Sequence, residues 1–540
     1  MKPQKLIGIT ALLCLCTVLV IGYALSKQTA GDKKENKIPE ISFGYWDIDQ
    51  MQNSAESDGI TQYLEEKFGF LANAQSFNWS NYKQQYQILS STGELPDVFT
   101  TVLLSSNNSE DTAMFKQMVA DKMIQALPKD LSAYPNLEKL LSQFPELRQK
   151  DGCFYAIPHP TFTETILSSS DAAMIVRRDW MDSLGIDDPQ NVQEFIQMTA
   201  AFASMDPDGN GKDDTAGYNV NNLAALGKWV MLGIAPKCNV YSWLEEPDGT
   251  FCPAWNTDEF RDVVAIYRQL YECGGLDPDF YVKNPSSVLD DFASGRLGAL
   301  EYKSSALALA ELKEEWDAKN TKPFSECVDI LPVFPASDGI RYSNSSNSYW
   351  AETYINVSVT KEELHIILKI LDYLLSDEGI ALCSQGIEGV DYRISSDGCP
   401  VSLITDADSS HVTALQKKYH SIELWSNIVY RGWDSSYFSD TPYMNFLYGK
   451  DCMHLVEKSL KFCRENTVQV SRPYSFLTFP KENASFDSTA FQSFVRCIIG
   501  TEPPLKMWEE TLDKLRIQGL DEYIHVQNQR FISYFLSHRF

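Results

Sequence analysis

The sequence predicts an α/β protein, because segments typical of strands and of helices alternate along the chain. Apolar residues alternate over 41–46, which predicts a strand, and apolar residues at helical spacing follow over 60–68. Residues 75–79 and 95–99 predict two further strands, on either side of a helix at 82–89. This alternation favours a parallel sheet, and a length of 540 residues allows two large lobes.

The same alternation returns further along the chain. Residues 173–176 and 297–300 predict strands, and residues 192–202 predict a helix. Thr360 and Glu363 have the spacing of a capping box, and the apolar stripe that follows them predicts a helix beginning at this point. The α/β pattern therefore extends well beyond the first domain-sized stretch.

The composition restricts the class of partner. There are 73 Asp and Glu against 46 Lys and Arg, a formal net charge of −27. Such a surface repels nucleic acid and anionic lipid, so we expect neither as a partner. Aromatic residues make up 12% of the chain, with 11 Trp and 26 Tyr, and these side chains either pack in cores or stack on flat ligands such as sugars.

The N-terminus has the features of an export segment. Lys2 and Lys5 precede an apolar run over 6–25, and a polar, Lys-rich stretch follows over 26–37. Residues 1–37 are therefore predicted to be a signal peptide or an N-terminal membrane anchor with a linker. We expect the rest of the chain to be extracytoplasmic, at the cell surface or secreted, with tethering by this segment or by lipid as open alternatives.

The cysteine pattern gives no metal motif. Cys14 and Cys16 lie in the apolar run, but each follows a Leu where a lipidation signal needs a small residue. No CxxC pair occurs among the others, which argues against a structural zinc site. Disulfides and buried free thiols both remain open for these ten: Cys153, Cys238, Cys252, Cys273, Cys327, Cys383, Cys399, Cys452, Cys463 and Cys497.

Five segments carry a family resemblance. They are 93–99 (GELPDVF), 175–181 (IVRRDWM), 206–214 (DPDGNGKDD), 292–299 (FASGRLGA) and 375–392, which contains LSDEG and GIEGVDY. In this order they resemble extracellular solute-binding proteins of family 1, the substrate-binding proteins of bacterial ABC importers. The resemblance is to the long oligosaccharide-binding branch found in Gram-positive bacteria, and it is weak over 400–500.

The resemblance implies a two-lobed, periplasmic-binding-protein-like fold of type II, with hinge crossovers near residues 172, 302 and 358. Lobe one is then expected over 38–172 and 302–357, and lobe two over 173–301 and 358–540. The implied function is that of a monomeric substrate-binding protein of an ABC importer. It would capture a sugar or oligosaccharide between the lobes and deliver it to the membrane permease.

One segment has the spacing of a calcium loop. Gly211 matches the position of the sharp turn, whereas Gly217 stands where a bidentate Glu is usual. An Asx-rich turn without metal is the alternative. The residues that match EF-hand-like ligand positions are Asp206, Asp208, Asn210, Lys212 (through its backbone carbonyl) and Asp214.

A sugar site needs aromatic faces for stacking and polar groups for the hydroxyls. The candidates lie at or beyond the ends of predicted strands, where ligands bind in open α/β sheets, or beside the predicted crossovers. The alternative for each one is a place in the core or on the surface. They are Trp46, Trp79, Tyr302, Tyr349, Trp350 and, in the poorly matched region, Trp433.

Two other function classes stay open. A secreted glycoside-active enzyme is one, although the seven His residues are scattered and no HExxH, GxSxG or GxxxxGK[ST] motif occurs. A membrane-anchored ligand sensor is the other, if the apolar N-terminal run is retained. We expect a binding protein and not an enzyme.

Overall fold

The computed structural model describes residues 38–48, 57–106, 109–162, 165–223, 226–238, 242–345, 348–406, 409–430, 441–470 and 485–537. The predicted export segment over 1–37 lies outside the described residues, and so does Trp433. Among the helices of the described residues, none combines the length and the apolar character that crossing a bilayer requires.

The strands form two main sheets and three short two-stranded ones. In the first sheet the order is β2-β1-β3-β12-β4, and in the second it is β10-β5-β9-β6. The short sheets pair β7 with β8, β11 with β15, and β13 with β14. The strands are β1 (Glu40–Trp46), β2 (Leu71–Phe77), β3 (Val98–Thr101), β4 (Ile157–Pro160), β5 (Ala173–Arg177), β6 (Ala216–Val220), β7 (Trp243–Glu245), β8 (Phe251–Pro253), β9 (Leu297–Tyr302), β10 (Val328–Leu331), β11 (Tyr342–Ser343), β12 (Tyr349–Ile355), β13 (Tyr392–Ile394), β14 (Pro400–Ser402) and β15 (Val468–Gln469).

Helices cover both main sheets. They are α1 (Gly59–Phe68), α2 (Tyr82–Thr92), α3 (Ser109–Ala120), α4 (Pro135–Ser142), α5 (Arg178–Leu184), α6 (Val192–Ser204), α7 (Asp258–Glu272), α8 (Pro285–Ala293), α9 (Ala306–Asp317), α10 (Phe324–Cys327), α11 (Lys361–Leu374), α12 (Asp377–Gln385), α13 (His411–Lys418), α14 (Ile422–Asn427), α15 (Thr441–Tyr448), α16 (Lys450–Asn466), α17 (Ser485–Ile499), α18 (Pro504–Ile517) and α19 (Leu520–Ser537). Short 3₁₀ turns lie at Pro145–Leu147, Thr165–Asp171, Val230–Gly233 and Ala254–Asn256.

The α/β fold class predicted from the alternation is confirmed. β1 pairs in parallel with β2 and β3, and β6 pairs in parallel with β9. β12 is antiparallel to its neighbours β3 and β4, so the first sheet is mixed. The predicted capping box is present, since Thr360 accepts from the Glu363 N–H and the Glu363 carboxylate accepts from the Thr360 N–H.

The cores follow the strand alternation. Ile41, Phe43 and Val98 lie in a core that covers the first sheet. In the second sheet, Met174 and Ile175 are neighbours on β5 but belong to separate cores. Successive side chains on a strand point to opposite faces, so the second sheet is buried on both sides.

The packing divides the chain into two lobes. We call residues 38–160 and 349–427, which pack around the first sheet, the first lobe. Residues 173–331 and 441–537 pack around the second sheet and form the second lobe. The chain therefore passes between the lobes after β4, after β10 and after α14.

This arrangement corrects the boundaries expected at residues 302 and 358. After β9 the chain does not leave the second sheet, because β10 returns to pair antiparallel with β5. After β12 the chain stays in the first lobe, because the apolar stripe of α11 packs in the first core. The expected assignment of 302–357 to lobe one is thus wrong for α9 and β10, and that of 358–540 to lobe two is wrong for the helices α11 to α14.

The cysteines are thiols. All ten in the described residues are free, and five of them are buried. The open alternative of disulfides is therefore not realised in the described residues. A chain that buries three large apolar clusters does not need covalent cross-links for its core.

Within the second lobe, the buried side chain of Arg268 on α7 connects this helix to the end of α17. The residue is 4% exposed, and its guanidinium donates to the carbonyls of Cys497 and Ile498 (2.9 Å) in the last turn of α17 and of Glu502 (3.0 Å) just after it. We expect Arg268→Ala to lower the free energy of unfolding by about 3 kcal/mol, since buried carbonyls lose charge-assisted bonds. Urea unfolding followed by circular dichroism measures this.

A control for this change is Arg261→Ala on the same helix. Arg261 is partly exposed and pairs with Glu509 and Asp258 at the surface. We expect Arg261→Ala to lower the free energy of unfolding by less than about 1 kcal/mol. Equal losses for both variants would contradict the role assigned to Arg268.

Candidate ligand-binding cleft

A cavity of ≈ 480 Å³ lies where the strand ends of the two lobes meet. Trp79 follows the carboxyl end of β2, and Phe162 follows that of β4. Asn221 follows β6, and Tyr302 ends β9. β12 runs antiparallel, so its beginning, with Trp350, lies at the same edge. This is the position in which ligands bind to open α/β sheets.

The aromatic wall of the first lobe is built in two layers. Trp46 is 5% exposed and lies beneath, with ring centroids 4.9 Å from Trp79 and 5.6 Å from Trp350. Trp79 is 46% exposed, and Tyr82 stacks on it at 5.4 Å. Trp46 therefore supports the two indoles that line the cavity and does not line it itself.

The structure brings three of the six predicted aromatic residues to the cavity wall: Trp79, Tyr302 and Trp350. Tyr349 precedes Trp350 where the pairing of β12 with β4 shifts in register, and its ring does not line the cavity but packs against Phe144 at 5.6 Å. Trp433 lies outside the described residues.

The second lobe contributes polar groups. Glu301 is 3% exposed, and its carboxylate accepts from the Trp229 N–H (2.6 Å) and the Tyr218 hydroxyl (2.8 Å). Burial raises the pKa of Glu301 to about 7, although the bond from Trp229 opposes this. Lys228 lies 3.8 Å from Asp171, and both line the cavity. These groups can donate to and accept from a ligand with many hydroxyls.

Several lining residues were not among the candidates from sequence. Asn221 and Asn222 directly follow β6, and Lys303 directly follows β9. The rule that ligands bind beyond strand ends would have found them if it had been applied to polar residues as well as to aromatic ones. Asp171 and Tyr430 lie in connecting segments and carry no such signal.

The predicted calcium loop lies apart from the cavity, on the surface of the second lobe. The Asp206 carboxylate accepts from the N–H groups of Asn210 and Gly211, both at 3.0 Å. The Asn210 amide donates to Asp208 (2.8 Å) and to Asp214 (3.0 Å), and its oxygen accepts from the Lys212 N–H (2.7 Å). The loop therefore gathers the predicted ligands around Asn210.

The charges in this loop repel one another. Desolvation raises the pKa of Asp208, and the carboxylates of Asp206 and Asp214 add to the effect. Among the described residues, however, no three His, Cys, Asp or Glu side chains are grouped so that they could hold a metal ion. An EF-hand-like loop also uses amide and backbone oxygens, and Asn210 and Lys212 have these.

Glu301 makes stability depend on pH. Its pKa is raised in the folded state, so the folded protein holds a proton that the unfolded chain releases, and the free energy of unfolding falls as pH rises from about 4.5 to 7. We expect Glu301→Gln to remove up to about 3 kcal/mol of this fall. Melting temperatures of the unaltered protein and of Glu301→Gln at pH 5 and pH 8 measure this difference. An equal fall in melting temperature for both proteins would contradict the role assigned to Glu301.

Comparison with known proteins gives relatives but no matching family model. Lipoprotein LipO of Bacillus subtilis (strain 168) is 28% identical over 333 residues, which are 60% of this chain and 62% of LipO. The polygalacturonan/rhamnogalacturonan-binding protein YtcQ of the same strain is 26% identical over 308 residues, 56% of this chain and 57% of YtcQ. The chain thus spans less than two thirds of the length of either relative.

The fold is shared over nearly the whole chain with a solved protein. The S. pneumoniae ABC-transporter substrate-binding protein FusA in complex with kestose has a TM-score of 0.66 at 17% identity, covering 92% of this chain and 100% of that one. An EF-hand mutant of FusA in complex with fructo-nystose gives a TM-score of 0.65 with the same coverage. The chain therefore has the two-lobed fold of ABC-transporter substrate-binding proteins, and the resemblance read from its sequence is confirmed.

Proposed function

We propose that this chain is the extracytoplasmic substrate-binding protein of an ABC importer and that it holds a sugar or oligosaccharide in the cavity between its lobes. The observation that carries the proposal is the wall of that cavity. The exposed ring of Trp79 and the half-buried ring of Trp350 line it together with Tyr302 and the polar groups of the second lobe. Aromatic faces stack on the C–H surfaces of sugars, while amides and charged groups bind the hydroxyls.

The place of the cavity supports binding by closure. Its walls come from both lobes, so movement of one lobe toward the other would enclose a ligand. The segments between the lobes would absorb such a movement. FusA, which shares this fold, was solved with kestose, a fructooligosaccharide.

The proposed partner is the membrane permease of the importer. One relative is named a lipoprotein, and FusA is named an ABC-transporter protein, which supports an extracytoplasmic, membrane-tethered location for this chain. We further propose that the chain acts as a monomer. Its lipid or peptide anchor would lie in residues 1–37.

The aromatic wall gives a direct test. Trp79→Ala removes an exposed ring, so we expect normal folding and about tenfold weaker oligosaccharide binding, ~1–2 kcal/mol. Titration calorimetry with a panel of fructo-, malto-, galacto- and mannooligosaccharides measures the affinity. Tyr281→Ala removes another exposed ring that does not line the cavity, and we expect unaltered binding for this control.

The same panel separates a binding protein from an enzyme. We expect bound sugars to raise the melting temperature and to be recovered intact by mass spectrometry. Release of shorter products from any panel member would contradict the proposed function, and so would the absence of binding by every member.

We also propose that Asp206, Asp208, Asn210, Lys212 and Asp214 hold a structural Ca²⁺ in the second lobe. The support is their EF-hand-like spacing, the convergence of three carboxylates on Asn210, and the existence of an EF-hand in FusA. Gly217 replaces the usual bidentate Glu, so water would complete the shell. The ion would offset the mutual repulsion of the carboxylates and fix the loop.

Calcium removal tests this site. We expect excess chelator to lower the melting temperature by a few degrees, because ion binding stabilises the folded state. Asp208→Asn should lack this response. Asp213→Asn removes a neighbouring charge at a position that is not a ligand, and it should respond like the unaltered protein. A chelator response shared by Asp208→Asn, or absent from the unaltered protein, would contradict the calcium site.

A further inference from the structure

A second chamber opens beside the cavity already described. Its volume is ≈ 360 Å³, and it shares Lys303, Trp350 and Tyr430 with the first cavity. The shared residues form a common wall, so the two chambers are neighbours along one cleft. Of the aromatic candidates from sequence that lie in the described residues, Trp350 alone lines the second chamber.

Both lobes contribute to this chamber. α9 of the second lobe provides Leu307 and Glu311, and α14 of the first lobe provides Glu423. The two carboxylates interact across the chamber, since the charge of Glu423 raises the pKa of Glu311. The larger cause is burial, and together they bring that pKa to about 7.

Among the described residues, neither carboxylate forms an ion pair with a Lys, Arg or His side chain. Glu311 has no hydrogen bond or ion pair in the part of the chain that the structure describes, and Glu423 accepts only from the Asn427 amide at 3.2 Å. Lys303 lines the same chamber and lowers the pKa of Glu311, but it is too distant to form an ion pair there. The chamber therefore presents two carboxyl groups without a cationic partner, and burial raises the pKa of both, so the negative charge that they offer a ligand grows as the pH rises.

We propose that the second chamber receives further residues of the same oligosaccharide and that Glu311 and Glu423 restrict this ligand to glycans without carboxylate groups. The inference rests on the proposed function and deepens it by naming the ligand class. Around the two carboxylates lie hydroxyl and amide groups of Ser384, Gln416 and Ser426, which suit neutral sugar hydroxyls.

The charges of the whole cleft also favour a ligand without carboxylate groups. Its described walls have four carboxyl groups and two ammonium groups, and the ammonium group of Lys228 lies 3.8 Å from Asp171. A uronic acid residue would bring a further carboxylate next to these groups, where like charges repel. YtcQ is named for binding polygalacturonan, an acidic polymer, so this chain is expected to differ from that relative.

Matched sugars test the proposal. Tetrasaccharides of galacturonate, mannuronate and glucuronate are each compared with their carboxyl-reduced, neutral counterparts by titration calorimetry. We expect binding by at least one neutral member and about tenfold or greater loss for its acidic partner. The double variant Glu311→Gln/Glu423→Gln should reduce this ratio severalfold, since it removes both charges and keeps the size of the side chains.

Glu315→Gln is the matched control. It removes a charge from the same helix, but Glu315 pairs with Lys319 at the surface and does not line the chamber. We expect an unchanged ratio of neutral to acidic affinity. A decrease equal to that of the double variant would assign the effect to net charge alone and would overturn the proposal.

Chain length tests whether the ligand reaches the chamber. Affinity for the neutral sugar should rise from the disaccharide to the tetrasaccharide, and Ser384→Tyr, which fills part of the chamber, should abolish this rise while disaccharide binding stays. Equal or tighter binding of acidic sugars, or no effect of length, would overturn this inference and leave the proposed function intact. If no sugar binds, including every member of the fructo-, malto-, galacto- and mannooligosaccharide panel, both this inference and the proposed function are overturned.

Discussion

The cleft depends on one strand that enters the first sheet from far along the chain. β12 lies between β3 and β4, and within it the fully buried carboxylate of Glu352 accepts from the N–H groups of Leu103 (2.9 Å) and Ser105 (2.7 Å). A buried carboxylate without such donors would cost several kcal/mol. The Ser105 hydroxyl in turn donates to the Trp350 carbonyl at 2.8 Å. One buried acid therefore fixes both the loop after β3 and the position of the central indole of the cleft.

The opposite face of the same strand organises the rest of the wall. The Thr353 hydroxyl donates to the Ile428 carbonyl at 2.6 Å, which holds the segment that leads to Tyr430. Tyr430 lines both chambers, so β12 positions the wall they share. The segment that brings the chain to β12 contains β11, which pairs with β15 of the second lobe. Movement between the lobes would therefore bend a segment that hydrogen bonds hold at both of its ends.

Local patterns predicted local structure well, because they depend on neighbouring residues alone. The alternation over 41–46 and the capping box at Thr360 both correspond to elements of the structure. The lobe to which an element belongs was harder to predict. The apolar stripe of α11 requires a buried face, but it does not indicate which sheet covers that face. β10 is only four residues long, too short for its pattern to be recognised.

The site was predictable to the extent that strand ends determine it. Trp79, Tyr302 and Trp350 lie at the cavity, as the strand-end rule implies, whereas Trp46 turns inward beneath two of them. The rule locates an edge of the sheet and not a side-chain direction, which depends on exact strand register. Glu311 is a residue for which the sequence carries no signal at all. It lies within a helix of the second lobe and faces Glu423 of the first lobe only because the two lobes meet there.

The position of Glu311 and Glu423 where the two lobes meet also suggests how a strongly acidic chain could select its ligand. A net charge of −27 acts at long range and is screened by salt within about 10 Å, so it influences encounter more than recognition. Glu311 and Glu423 line the second chamber itself, so they would act on a bound ligand at distances shorter than the screening length, and they come from different lobes. Their repulsion of a uronate would therefore be greatest in the closed state, when the lobes are nearest. Selection by charge would then operate on the closing of the cleft and not on the first contact with the sugar.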